Sequence, residues 1–272
     1  MSADPARSGP LLATRSVAKV WGRTQLPAPF ARIESEPVGE IWFEPGALLP
    51  DILIKYLFTS ARLSVQVHPR AGEAGAGVPG KDECWLVVDA EPGARLAIGF
   101  DRPITRAAMR TAALDGSIAE RLVWHEAAPG DFFYLPAGTV HAIGAGISLI
   151  EVQQNTDITY RLFDYGRPRD LHLDQALAVA SGEVYRRELH RRVDPAASAC
   201  LVEGPHFRVD QLVGVPDDDL LRVHRRACQV LPLEGCVAVD GVVASPGESA
   251  VAGSLDAVDF AASRRCLAVG AV

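Results

Sequence analysis

The feature that most limits how this chain can fold is a recurring period of two. The runs ARLSVQV (61–67), CWLVVDA (84–90), RLAIGF (95–100), DFFYLPA (131–137) and ISLIEVQQ (147–154) are short and apolar or alternating, with Gly, Pro or Asp at their ends. Alternate side chains of a strand point to opposite faces, so such runs build sheets. Short strands this closely spaced, with turn signals between them, predict a mainly β chain folded as a barrel or sandwich. Two stretches read instead as helix. One is TRAAMRTAALDGSIAERL (105–122), rich in alanine and interrupted by DGS. The other is LDQALAVASG (173–182), with Asp174 near its start and Gly182 at its end. AGEAGAGVPG (71–80) is a loop of small residues that cannot build a core.

Beyond about residue 185 the character changes. VYRRELHRRV is charged and DPAASA reads as a linker, after which strand-like runs resume: FRVDQLVGV, RACQVLPLEG, CVAVDGVV, ESAVAG and CLAVGAV. APGDFFYLPAGTVHAI (128–143) aligns with SPGESAVAGSLDAVDF (245–260): each has Pro-Gly, five residues, a turn and a returning strand. A repeated β-unit predicts two related β-barrels in tandem, residues 1–190 and residues 191–272.

Charge and composition narrow the partners. The 272 residues carry a formal net charge of −7 and no basic stripe, which argues against nucleic acid. No apolar run is long enough to span a bilayer, so no membrane is expected. The opening residues have no apolar core of a secretion signal. The five cysteines (Cys84, Cys200, Cys228, Cys236, Cys266) are odd in number and lack CxxC spacing. Reduced thiols and a cytoplasmic location are the expectation. The partner expected is a small molecule, for a chain that is a monomer or homodimer.

One residue interrupts the strand pattern. His141 stands inside the apolar return strand of PGDFFYLPAGTVHAI. A lone histidine there is more often a hydrogen-bonded core residue than a ligand, so the question is whether it has company. Gln66 and His68, two apart in SVQVHP, share a face if that segment is strand. Glu83 opens the apolar run after GKD, and Cys84 beside it then points to the opposite face. Gln66, His68, Glu83 and His141 form a nitrogen and oxygen donor set without sulfur, which suits a catalytic Zn²⁺ more than a structural one.

The spacing Gly130, Pro136, Gly138, His141 resembles the second motif of the cupin superfamily. LLPDILIKYLFTSARLSVQVHP, GKDECWLVVDA, PGDFFYLPAGTVHAI and EVQQNTDITYRLFDYGR together resemble the type I phosphomannose isomerases in their short bacterial form, as do KVWGRTQL (19–26) and GEIWF (39–43). The resemblance spans roughly residues 15–185. It implies tandem cupin-like, jelly-roll barrels, the first with inserted helices. It also implies one zinc ion per chain on Gln66, His68, Glu83 and His141, and a sugar phosphate substrate. The implied reaction is reversible isomerisation of mannose 6-phosphate and fructose 6-phosphate by proton transfer between C1 and C2 through an enediol. Arg70 after His-Pro and Asp82 between Lys81 and Glu83 depart from the family pattern without touching a ligand.

By the same resemblance Arg161 is catalytic, although most arginines are exposed ion-pair formers. Lys81 is a second catalytic candidate, with Glu83 and a metal-bound water as alternative bases. Lys55 interrupts DILIKYLF, where a buried ammonium needs a partner. Ser64 and Lys81 each precede a ligand by two. With Arg167, these residues (Lys55, Ser64, Lys81, Arg167) form a candidate phosphate cluster, although each charged one reads about equally well as an exposed charge. Two other readings stay open: another metal-dependent cupin enzyme, such as an iron oxygenase, and a non-catalytic sugar-binding cupin. The C-terminal repeat has Val258 where the first copy has His141, so that barrel is expected to hold no metal.

Overall fold

The computed structural model describes residues 9–272. Its described residues are mainly β, arranged in four sheets. The first sheet has seven strands in the spatial order Thr14–Gln25, Ile33–Phe43, Ile52–Phe58, Ile147–Gln154, Glu83–Ala90, Asp131–Leu135 and His190–Arg192. The second has five: Tyr160–Phe163, Val65–Val67, His141–Ile143, Arg95–Phe100 and Leu122–Glu126. The third, also five-stranded, runs Ala199–Glu203, Phe207–Val213, Ser263–Ala271, Cys228–Gly235 and Ala250–Ala252. The fourth is a ribbon of Val242–Ala244, Val237–Val239 and Val258–Asp259.

The sheets stack through four apolar layers. Leu57, Trp85 and Leu149 of the first sheet pack against Leu96, Ile98 and Ile143 of the second. The outer face of the second sheet (Val65, Ala97, Leu162) is covered by the helices through Met109, Ala112, Ile118 and Leu177. The outer face of the first sheet (Ile41, Ile54, Tyr56, Cys84, Phe132) meets Leu201, Phe207, Leu231 and Val269 of the third. A last layer fills the space between the third and fourth sheets with Val230, Val237, Leu255 and Ala268.

Because both faces of the first sheet are covered, the strand Ile52–Phe58 is buried at every position. Its sequence ILIKYLF is therefore a continuous apolar run rather than an alternation. The long strands Thr14–Gln25 and Ile33–Phe43 do not stand out by periodicity either. Their outer halves are exposed and polar, and a proline sits inside the second. The helix expected over 105–122 is two helices, Arg106–Asp115 and Ile118–Arg121. Thr105 caps the first, its hydroxyl accepting from the Ala108 amide, and the DGS interruption splits the pair. Leu122 already belongs to a strand. The second helix is shorter than expected, Leu173–Val179. The charged stretch near 185–193 adds an edge strand, His190–Arg192, to the first sheet.

The two aligned segments have matching local structure. Gly130 and Gly247 have φ of 89° and 90°, a region open to glycine at little cost. Each is followed by a short strand, a turn and a return strand, His141–Ile143 in one case and Val258–Asp259 in the other.

Candidate metal centre

The donors come from three strands of two sheets. Gln66 pairs directly with His141 on one side and with Arg161 on the other. Direct antiparallel partners share a face, so Arg161, Gln66 and His141 form one row across the second sheet. The first sheet supplies an opposing row. Trp42 pairs with Lys55, Lys55 with Glu151, and Glu151 with Trp85. The Trp85 ring meets the His141 ring edge-on at 5.3 Å, which joins the two rows.

His68 and His141 are 2% and 1% exposed, and Glu83 is 1% exposed. His68 Nε2 lies 3.3 Å from Glu83 Oε2, and His141 Nε2 lies 3.4 Å from Glu83 Oε1. Gln66 Nε2 is 3.2 Å from His141 Nε2. The other nitrogen of each ring is taken: His68 Nδ1 is 2.8 Å from the Ile158 carbonyl and His141 Nδ1 is 2.9 Å from the Thr139 carbonyl. A carbonyl only accepts, so both Nδ1 atoms carry hydrogen and both Nε2 atoms present lone pairs, which here face the Gln66 amide nitrogen and the Lys81 ammonium.

These residues fit a metal ion. Among the described residues His68, Glu83 and His141 are the one group of three His, Cys, Asp or Glu side chains whose ligand atoms all lie within 4.8 Å of one another. Glu83 Oε1 is buried without a hydrogen-bond partner, and a buried carboxylate oxygen left unpaired is costly unless something else satisfies it. A tetrahedron of ligands about 2.0–2.2 Å from a zinc ion has edges of about 3.3–3.6 Å, near the separations found here. Gln66 presents its amide nitrogen, and Ser64 Oγ donates to Gln66 Oε1 at 3.1 Å. A half-turn of the amide would present Oε1 to a cation, and the Ser64 hydroxyl could then accept from Nε2. Cys84 points the other way, into the layer shared with the third sheet, and burial pushes its thiol pKa well above the usual value.

The turn before His141 is tied to the other ligands. The Gly138 amide donates to the His68 carbonyl at 2.8 Å. Gly138 has φ 91°, and a Cβ there would come within 2.7 Å of the Arg70 guanidinium. Asp82 Oδ1 accepts from the Ala137 amide at 2.9 Å, and Oδ2 accepts from the Tyr134 hydroxyl.

Lys81 donates to Glu83 Oε2 and lies 3.1 Å from His68 Nε2. Burial alone would raise the Glu83 pKa, but the Lys81 ammonium and His68 outweigh it and hold the carboxyl well below its usual range. Burial pushes the His141 imidazole down to about 4. Lys55 pairs with Glu151 at 2.9 Å. Burial would lower the Lys55 pKa, but Glu151 and Glu40 outweigh it and hold the ammonium well above its ordinary value.

A cavity of about 320 Å³ adjoins this centre through Lys81 and Arg161, although none of the four donors lines it. Lys55, Lys81 and Arg161 line it, joined by Lys19, Glu40, Trp42 and His172, which sequence reasoning did not single out. Glu151 was missed too. It joins Lys55, Lys81 and the Trp85 indole N–H. Its signal was available: an acid inside ISLIEVQQ needs a partner for the reason Lys55 does. Ser64 is 2% exposed and bonded to Gln66, so it supports a ligand rather than lining the cavity.

Arg167 departs from expectation. The buried Asp164 carboxylate takes its guanidinium at 3.0 Å, and the Arg62 carbonyl accepts from it at 2.6 Å. Tyr165 and Gly166, both at positive φ, turn the chain away from the cavity after the Arg161 strand. A larger cleft of about 600 Å³ beside Trp124, Phe163 and Tyr165 contains none of the donors.

No family model matches the chain. The mannose-6-phosphate isomerase ManA of Bacillus subtilis is 38% identical over 170 residues, 58% of this chain and 54% of ManA. The chain thus spans about half the length of the curated relatives it matches. The crystal structure of a mannose 6-phosphate isomerase from Bacillus subtilis superposes with a TM-score of 0.75 at 22% identity, covering 97% of this chain and 100% of that one. A zinc-bound mannose 6-phosphate isomerase gives 0.65 at 16%, covering 96% and 98%. Over about half its length the chain is thus similar to proteins named mannose-6-phosphate isomerase, and its fold is that of the solved phosphomannose isomerases.

Proposed function

We propose that the chain is a zinc-dependent aldose–ketose isomerase that interconverts mannose 6-phosphate and fructose 6-phosphate. The observation that carries this reading is the row Arg161–Gln66–His141: it sets a guanidinium with no ion-pair partner among the described residues beside a buried donor set, and Arg161 and Lys81 line a small cavity next to it. The homologues' names supply the substrate, and the zinc-bound relative supports the choice of metal.

Gln66, His68, Glu83 and His141 would hold the ion, which when bound polarises sugar oxygens as a Lewis acid. The chain's own residues do the rest. The Arg161 Nε is buried and has no hydrogen-bond partner. An arginine stays charged, and a preorganised cation in a dry site is most effective where negative charge develops, here at the enediolate oxygens. Lys81, wedged between His68, Glu83 and Glu151, would move a proton at C1 or C2. Lys55, held charged by Glu151, and Lys19 at the cavity wall would draw in the phosphate. Binding energy from that remote group then orients the reacting carbons.

We further assign the site to residues 1–190 and a supporting role without metal to residues 191–272. A cytoplasmic location is part of the same proposal; no described helix is long and apolar enough to cross a membrane, and the five cysteines are free. The test is turnover of mannose 6-phosphate in a coupled assay, with elemental analysis of the same preparation. Isomerisation with one zinc per chain supports the reading. A zinc-loaded protein that leaves mannose 6-phosphate unchanged overturns it.

A further inference from the structure

His172 occupies the cavity on terms unlike its other polar residues. It precedes the helix Leu173–Val179, and its backbone amide donates to the Arg161 carbonyl at 2.9 Å. In return the Arg161 amide donates to His172 Nδ1 at 3.3 Å. An amide N–H only donates, so Nδ1 must be the unprotonated nitrogen and the ring hydrogen sits on Nε2. This is the reverse of His68 and His141, whose Nδ1 atoms face carbonyls. Among the described residues His172 Nε2 has no hydrogen-bond partner, and the residue lines the cavity.

We infer that His172 is a substrate-contacting residue whose Nε2–H donates to an oxygen of the bound sugar phosphate beside Arg161. The inference rests on the isomerase reading above and deepens it. The reciprocal bonds to the Arg161 backbone fix the ring, so the donor is oriented before substrate arrives. The guanidinium and the imidazole N–H come from neighbouring positions, so together they make a two-donor seat for one anionic group. A neutral donor there adds direction without adding to the cavity's positive charge.

A merely structural histidine would hold Arg161 in place through Nδ1 and do nothing at Nε2. Two substitutions separate the roles. Asn places an amide near the Nδ1 position and can accept from Arg161, with no group at Nε2. Gln reaches the Nε2 position with an N–H and gives up the Nδ1 contact. Each variant is purified with zinc, its zinc content checked, and its kcat and KM for mannose 6-phosphate measured beside the parent. The expected result is a loss in kcat/KM of about ten- to hundredfold for His172→Asn and His172→Ala, with His172→Gln recovering most of it at unchanged zinc content. Parent-like kinetics in His172→Asn with loss in His172→Gln would make His172 a positioning residue only and overturn the inference. Parent-like kinetics in His172→Ala would overturn it too. A zinc-loaded parent that does not isomerise mannose 6-phosphate would instead remove the reading on which it rests.

Discussion

Asp82 fastens the strand carrying Glu83 to the turn carrying His141: one carboxylate oxygen accepts from the Tyr134 hydroxyl and the other from the Ala137 amide. Asp82 sits between Lys81 and Glu83 and points away from the cavity, so it sets the distance between two candidate ligands without touching either. Groups that orient ligands from behind are worth about ten- to hundredfold in metal affinity. Asp82→Ala should therefore weaken zinc binding by about that factor, measured by competition with a chromophoric chelator. Unchanged affinity would show that the turn holds itself.

Acid should loosen the centre, with a definite sign. The His141 imidazole is pushed down to about 4 by burial, below the ordinary histidine value. Between about pH 6.5 and 4 the unfolded chain takes up a proton there and the native chain does not, so stability falls as pH falls through that window. Glu83, depressed by Lys81 and His68, acts in the same direction at lower pH. The metal-free protein is expected to melt at steadily lower temperature from pH 7 to pH 4. In His141→Asn the slope above pH 4.5 should flatten. An equal slope in both proteins would assign the acid sensitivity elsewhere.

Arg161→Ala should lower kcat by about 100- to 1000-fold with a much smaller change in KM, the pattern of a lost transition-state contact. Zinc content should not change, because the guanidinium binds no ligand among the described residues. A rise in KM alone would make Arg161 a ground-state anchor instead.

His224 carries no metal expectation, but it is not dispensable. It is buried and lies 2.7 Å from Asp210, whose carboxylate also takes both ends of the Arg208 guanidinium. Removing one partner of a buried charged cluster costs about 3 kcal/mol. His224→Ala should lower the melting temperature, while the fraction that stays native keeps parental zinc content and kcat. A loss of zinc with the fold intact would reveal a link between the C-terminal sheets and the centre.

The candidate ligands stand out because each is a polar residue where the local pattern calls for an apolar one, at a spacing that puts neighbours on one face. Lys55 was legible by the same logic, and so in principle was Glu151. The wall formed by Lys19, Glu40 and Trp42 was not. Those residues lie on strands whose polar outer halves hide the alternation, and nothing local says that the strands border the candidate metal centre. Arg167 misled because its sequence distance from Arg161 carries no information about the reversal at Tyr165 and Gly166. The Pro-Gly repeat suggests tandem β-units, but the apolar layer between the first and third sheets involves residues unreadable as partners. Cys84 and Phe207 are 123 positions apart by their numbers and share one layer.

The Leu12 amide donates to the Ser249 carbonyl at 2.9 Å, and the Val251 amide donates to the Pro10 carbonyl at 2.8 Å. Segments near opposite ends of the sequence thus close on each other. On a ribosome, residues 10–12 emerge early and must wait for residues 249–251 before finding their partners. The outer face of the first sheet waits as well, uncovered until Leu231 and Val269 arrive. Contacts this distant form slowly, and apolar surface exposed meanwhile invites association between nascent chains. Slower translation or a holding chaperone should therefore raise the yield of soluble protein, and a chain stopped near residue 190 should accumulate as aggregate even though every proposed ligand has been made.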